Sequence, residues 1–287
     1  MKCFDSHLHL WDPRVLRYDW LSDLPALNQP FLPEVLATEA QAPDAAIVVQ
    51  ADCAEEQAVD EVNWINQLAE YSPIHIAGIV AWAALEKGNA VIPHLHQLRN
   101  IPRVVGIRRS LQNEPEHLFY DMNFRAGLLA AARNGFVLDL CVRASQLQGV
   151  YDLLYWLFSH APEARVVLDH MGKPTIIRNE WQAWQSVFDP LADFPQLVCK
   201  ISGLPTEADW LAWNEEELQP WIQHAIAVFG PHRCLFGGDW PVVNLAGGYS
   251  RWRQCVENAI SHLTPEDRCA IMVNNARDIY LSQSRGK

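Results

Sequence analysis

Eight short apolar runs punctuate the chain, and between them apolar residues recur at helical spacing. The runs occupy residues 4–10, 45–50, 76–81, 104–108, 136–142, 165–170, 197–202 and 234–239. Their content of Val, Ile and Leu, with turn residues at their borders, reads as strands buried on both faces. Residues 55–71 place Ala58, Val62, Ile65 and Ala69 on one helical stripe, and 123–134 form a helix stopped by Gly135. Ser145 is the expected cap of a helix bearing Leu147, Val150, Leu154 and Leu157, and residues 215–229 form a helix ended by Gly230. Other helices start near Pro33, contain His94, and carry Trp181 and Trp184. Two follow the last run, the second opening on Thr264-Pro265-Glu266-Asp267, with its cap, first-turn Pro and acidic first turn. Strands alternating with helices specify a parallel sheet covered by helices. Eight such units in 287 residues predict a single-domain α/β fold, a (β/α)8 TIM barrel spanning 1–287. A doubly wound open sheet is the runner-up, but no Gly-rich phosphate turn follows the first run, which also argues against a dinucleotide cofactor.

Composition narrows the partners. With 22 Lys+Arg against 34 Asp+Glu, the net charge of -12 repels polyphosphate and anionic membrane, so neither nucleic acid nor a membrane surface is expected. Seven scattered cysteines without a C-x-x-C pair read as reduced thiols in a cytoplasmic protein. Asp5 and His7 interrupt any early signal-peptide core, and no apolar run approaches the length of a membrane span. The expected partner is a small molecule.

The first run carries the candidate chemistry. Alternation on a strand places Asp5, His7 and His9 on one face and Phe4, Leu8 and Leu10 on the other. Two imidazoles so spaced converge, whereas on a helix they would diverge by roughly 200°. His94-Leu95-His96 repeats the letters inside a helical pattern of Val91, Leu95 and Leu98, and is expected to be a solvated face. In a barrel, chemistry sits at the C-terminal strand ends. These ends supply His7, His9, Gln50, Trp82, Arg108, His170, Lys200, Ser202 and Asp239. His7, His9, His170 and Asp239 would meet over the mouth as ligands for one zinc-like ion. Without metal, the imidazoles would polarise a carbonyl while Asp239 takes a proton from water. Competing readings are core histidines bonded to backbone, a turn role for Asp239, and structural ion pairs for Arg108 and Lys200. Trp11, Trp82 and Trp240 fall at or just past strand ends, suited to stacking on a ring. The polar stretch 11–30 reads as an active-site loop.

Five motifs resemble those of the amidohydrolase superfamily, and within it the lactonase branch of L-fuconolactonase-like and 2-pyrone-4,6-dicarboxylate lactonase-like proteins. They are Phe4-Asp5-Ser6-His7-Leu8-His9-Leu10-Trp11-Asp12-Pro13, Gly106-Ile107-Arg108, Leu168-Asp169-His170-Met171-Gly172-Lys173-Pro174, Lys200-Ile201-Ser202-Gly203-Leu204 and Phe236-Gly237-Gly238-Asp239-Trp240-Pro241. The terminal Asn275-Ala276-Arg277-Asp278-Ile279-Tyr280 is similar too. The resemblance implies a barrel hydrolase opening a lactone by water attack on the ring carbonyl. Asp239 is then the proton-transfer group beside His7, His9 and His170, with Gln50, Trp82, Arg108 and Lys173 near the substrate. Arg108 stands where binuclear members place a bridging Lys or Glu, and Asp139 where they place a His, so at most one divalent ion is expected. Zinc is favoured over manganese because imidazole dominates the ligand set, and a metal-free site stays open. A sugar-acid lactone is the expected substrate. A pyrone dicarboxylate would call for more cations at the mouth than Arg108, Lys173 and, more remotely, Arg109 and Lys200. The alternatives are that dicarboxylate lactonase, a non-oxidative decarboxylase, whose strand one often reads Glu-x-His, and a non-catalytic binding barrel.

Overall fold

The computed structural model describes residues 1–282. Eight strands pair in parallel, in chain order: β1 (Phe4–Leu8), β2 (Ala45–Val49), β3 (His75–Ala81), β4 (Val104–Arg108), β5 (Val137–Leu140), β6 (Val166–Leu168), β7 (Leu197–Ile201) and β8 (Cys234–Phe236). The outer layer consists of α1 (Pro33–Leu36), α2 (Ala58–Leu68), α3 (Ile92–Arg99), α4 (Met122–Arg133), α5 (Leu147–His160), α6 (Trp181–Phe188), α7 (Glu215–Phe229) and α8 (Tyr249–Ala259). Helices α9 (Pro265–Cys269) and α10 (Asn275–Leu281) close the chain. Among the described residues, no helix is long and apolar enough to cross a membrane.

Strand parity divides the core in two. Phe4, Ile47, Val49, Val80, Val137, Val167 and Leu235 fill the lower barrel interior, where Ala276 and Tyr280 of α10 plug the floor. Leu8, Ala46, Val48, Ile79, Leu138, Leu168, Ile201 and Phe236 face the helices. Burying both faces explains why these runs lack polar alternation. The expected helix ends hold at Gly230 and at Thr264, whose hydroxyl accepts from Asp267 N at 3.1 Å. Ser145 is not a cap. It lies inside a 3-10 turn (Ala144–Gln146) that leads into α5; that turn is capped by Arg143, whose N–H donates to Gln146 Oε1 at 2.8 Å, and Gln146 is the N-cap of α5.

The last strands are shorter than their apolar runs. Asp169, His170, Ser202 and Asp239 all lie beyond the ladder. His170, Met171 and Asp239 adopt left-handed backbone, with φ of 54°, 55° and 53°, and a strand ladder does not accommodate such residues.

The first strand departs from simple alternation. Its register to β2 shifts between Asp5 and Leu8, so Phe4 points into the barrel while Asp5 turns outward. The expectation that Asp5 shares a face with His7 and His9 is therefore corrected; a bulge reverses parity between them. Asp5 Oδ1 instead accepts from His7 N at 2.8 Å and Gly238 N at 2.9 Å, across the junction of β1 and β8. The same junction carries Asp239 N to His7 O and His9 N to Trp240 O, each 2.7 Å, and Ser6 Oγ to Phe236 O at 2.7 Å.

Glycine is required where this junction is tightest. A Cβ on Gly238 would lie 2.1 Å from the Tyr249 ring and 2.5 Å from Asp5 Oδ2, and one on Gly237 would lie 2.8 Å from His7 Cβ. Gly238→Ala is expected to cost about 1–3 kcal/mol by overpacking, read as a lower urea midpoint at unchanged m-value.

Candidate active site

Four side chains from three strands converge at the C-terminal mouth. His7 Nε2 and His9 Nε2 lie 3.3 Å apart, and Asp239 Oδ1 is 3.8 Å from the first and 3.6 Å from the second. The His170 ring sits 4.5 Å from that of His7, and His7, His170 and Asp239 offer ligand atoms all within 4.8 Å of one another. Positive φ at His170 and Asp239 turns these two side chains inward past their strand ends.

Hydrogen bonds behind the rings orient them. His9 Nδ1 faces Val49 O at 2.8 Å, and a carbonyl only accepts, so Nδ1 carries the proton and Nε2 presents a lone pair. His7 Nδ1 lies between Lys200 Nζ at 3.1 Å, which only donates, and Asp169 Oδ1 at 3.3 Å, which only accepts. His170 Nδ1 pairs with Ser202 Oγ at 2.8 Å. Burial drives the pKa of His7 well below the ordinary value and that of His170 to about 4. Burial alone would raise Asp239, but the imidazoles of His170, His9 and His7 outweigh it and hold the carboxylate well below its usual range. The Nε2 atoms of His7 and His9 and a carboxylate oxygen of Asp239 thus converge on one point. Such an arrangement suits a cation, and three N/O donors with a fourth nearby fit zinc.

Beneath the cluster lies a buried charge layer. Lys200 Nζ is 2.5 Å from Asp139 Oδ2, 2.9 Å from Asp169 Oδ1 and 3.1 Å from His7 Nδ1. Tyr280 OH donates to Asp139 at 2.8 Å, and Arg108 Nη1 stands 3.6 Å from Asp169 Oδ2. Burial raises Asp139 to about 6 despite Lys200, whereas in Asp169 the effect of burial is outweighed by Lys200 and His7, leaving it well below the ordinary value.

Above the cluster opens a cavity of about 310 Å³ whose polar lining includes His9, Asp52, Arg108, His170, Lys173 and Asp239. Its apolar wall comes from Trp11, Trp20, Leu24 and Val242, so the 11–30 stretch contributes directly. Trp11 Nε1 donates to Leu27 O and Trp20 Nε1 to Ala51 O, fixing both rings.

Arg108 and Lys173 line this cavity; three other candidates do not. Trp82 lies in a separate depression with His94, Glu55 and Lys87. Gln50 is folded onto Asp52, donating to Oδ1 at 3.1 Å and accepting from the Asp52 N–H at 2.6 Å. Trp240 is fully buried against Phe31. Lys200 is sealed below the mouth, and Arg109 is engaged by Glu86 and Glu114. His96 is exposed on α3 as expected, but His94 is half-buried rather than solvated, beside Trp82. Asp169, the layer residue facing His7, was legible from parity, since Val167 and Asp169 share a strand face. Asp52, Ser110, Gln112 and Asn113 belong to loops and gave no periodic signal.

A family model described as amidohydrolase matches residues 4–281. The chain is 31% identical to an L-fucono-1,5-lactonase of Burkholderia multivorans, over 96% of this chain and 95% of that protein. It is 24% identical to an L-rhamnono-gamma-lactonase of Scheffersomyces stipitis, over 72% of this chain and 66% of that one. A crystal structure of an amidohydrolase from Burkholderia multivorans with bound zinc superposes with a TM-score of 0.86 at 31% identity, covering 98% of this chain and 99% of that one.

Removing Lys200 isolates two buried carboxylates. Lys200→Met is expected to cost about 3–5 kcal/mol, measured by chemical denaturation, with partial recovery when Asp139→Asn is added.

Proposed function

The chain belongs to the amidohydrolase family, and from that premise we propose that it hydrolyses a small sugar-acid lactone. The observation that carries the reading is the convergence of His7, His9, His170 and Asp239 beneath a cavity of about 310 Å³, large enough for one sugar ring. The L-fucono-1,5-lactonase and L-rhamnono-gamma-lactonase relatives and the mixed polar and aromatic lining support the same substrate class. Water adds its oxygen to the ring carbonyl carbon, the acyl–oxygen bond of the ring breaks, and the ring oxygen leaves as a hydroxyl. The product acid then ionises.

His7, His9, His170 and Asp239 are the ligand set for one divalent ion, zinc. When bound, zinc supplies Lewis-acid polarisation of the ester carbonyl. Asp239, ionised at neutral pH, takes the proton of the attacking water and returns it to the leaving ring oxygen. Val49 O keeps the His9 imidazole in its ligating tautomer. Trp11 and Trp20 exclude bulk water and supply apolar surface to the ring's carbon face. Arg108 and Lys173 donate to substrate oxygens. Seven cysteines, all free, support a reducing, cytoplasmic setting.

Asp239→Asn preserves shape but removes the base, so kcat on L-fuconolactone is expected to fall about 10²–10⁴-fold with folding intact. Near-normal turnover would return Asp239 to a structural role. Elemental analysis is expected to find one zinc per chain, lost from His7→Ala and His9→Ala and retained by His94→Ala. Two ions per chain, or equal loss from all three variants, would break the assignment.

A further inference from the structure

Four charged side chains line the cavity, and three of them are answered at close range. Arg108 Nη2 donates to Gln50 O at 2.6 Å and faces Asp169. Lys173 Nζ lies 3.7 Å from Glu207 Oε1, and Asp239 sits among the histidines. The fourth, Asp52, meets no cation within ion-pair distance among the described residues. Its hydrogen-bond partner is the neutral amide of Gln50.

That carboxylate is held in place. Asp52 has left-handed backbone, φ 51°, a state that costs a non-glycine residue energy unless its surroundings fix it. Here Gln50 fixes it twice, accepting from its N–H and donating to Oδ1, while Arg108 grips the Gln50 carbonyl. Asp52 is also solvent-exposed, so an ordinary surface role would leave it mobile. Instead a buried amide side chain is spent on aiming it at the cavity.

Resting on the lactonase reading, we propose that Asp52 is a specificity-determining residue that selects uncharged, polyhydroxylated lactones and speeds departure of the acid product. A hydroxyl both donates and accepts, so it satisfies a carboxylate and a guanidinium across the same cavity. A substrate carboxylate satisfies only the guanidinium and is repelled by Asp52. Hydrolysis turns a neutral ring into an anion, so the same carboxylate that welcomes the substrate opposes the product. A dicarboxylate lactone is disfavoured from the outset, which separates this site from that of a pyrone-dicarboxylate hydrolase.

Asp52→Asn isolates the charge. Asn tolerates left-handed backbone and keeps the acceptor for Gln50, so the fold is expected to be unchanged. The zinc-loaded wild type and variant are compared on L-fuconolactone, which is neutral, and D-glucaro-1,4-lactone, which carries a free carboxylate. In the variant, kcat/KM for the neutral lactone is expected to fall about five- to tenfold, mostly through KM, as charge-assisted hydrogen bonds weaken. That for the anionic lactone is expected to rise by a similar factor, and raised salt is expected to lift the anionic lactone's kcat/KM in the wild type alone. Parallel changes on both lactones, or none on either, overturn the proposal. Calorimetric binding of L-fuconate is read without turnover and should tighten about five- to tenfold in the variant; equal affinity also overturns it. A wild type that turns over neither lactone yet shows this change in fuconate affinity refutes the lactonase reading and leaves the charge selection standing.

Discussion

One buried carboxylate joins the two edges of the sheet. A barrel has no free edge only if its first and last strands meet, and here the meeting is arranged around Asp5. Its Oδ1 takes N–H groups from His7 and Gly238 at once, bridging a bulge in β1 that leaves no regular ladder to do so. The bulge is also what turns His7 inward. Closure and catalysis therefore share one device: backbone bonds from Asp239 to His7 and from His9 to Trp240 set the spacing of the donor atoms. Burial raises the Asp5 pKa to about 7, with the two backbone donors opposing the rise. This burial is a tax on stability at neutral pH, tolerated because the geometry of the mouth depends on it.

Below that junction the interior is layered by polarity. The floor is aliphatic, the middle holds Lys200 between Asp139 and Asp169, and the top holds the imidazoles. Counting the buried charges, Asp139, Asp169 and Asp239 oppose Lys200 and Arg108, so the stack is short of positive charge. In a medium of low dielectric such a shortfall is strongly felt. It favours cation uptake at the mouth, where His7, His9 and Asp239 converge. The middle layer is thus more than filler. It orients His7 through Asp169 and makes the mouth electrostatically receptive.

Much of this was readable from periodicity, because a parallel barrel buries both strand faces and leaves unmistakable apolar runs. The convergence of His7 with His9 follows from a spacing of two, which survives the bulge because the bulge lies before them. Asp5 was misplaced for the same reason, being on its other side. Gln50, Trp82 and Trp240 were near strand ends in sequence, yet position along a strand does not state where a side chain turns once the ladder stops. Left-handed residues decide that at His170, Asp239 and Asp52, and no hydropathy pattern signals them. The cavity wall from the 11–30 loop, and the loop residues Ser110, Gln112 and Asn113, depend on tertiary packing in the same way.

The junction of β1 with β8 also has a meaning in time. Gly238 and Asp5, which it ties together, are 233 residues apart. During synthesis the proposed ligands His7 and His9 emerge almost at once, but Asp239 arrives only when most of the chain is out. No complete metal site exists in a nascent fragment, and contacts of such long range form late because closing so large a loop is entropically costly. The proposed ligand set comes together only with the finished barrel.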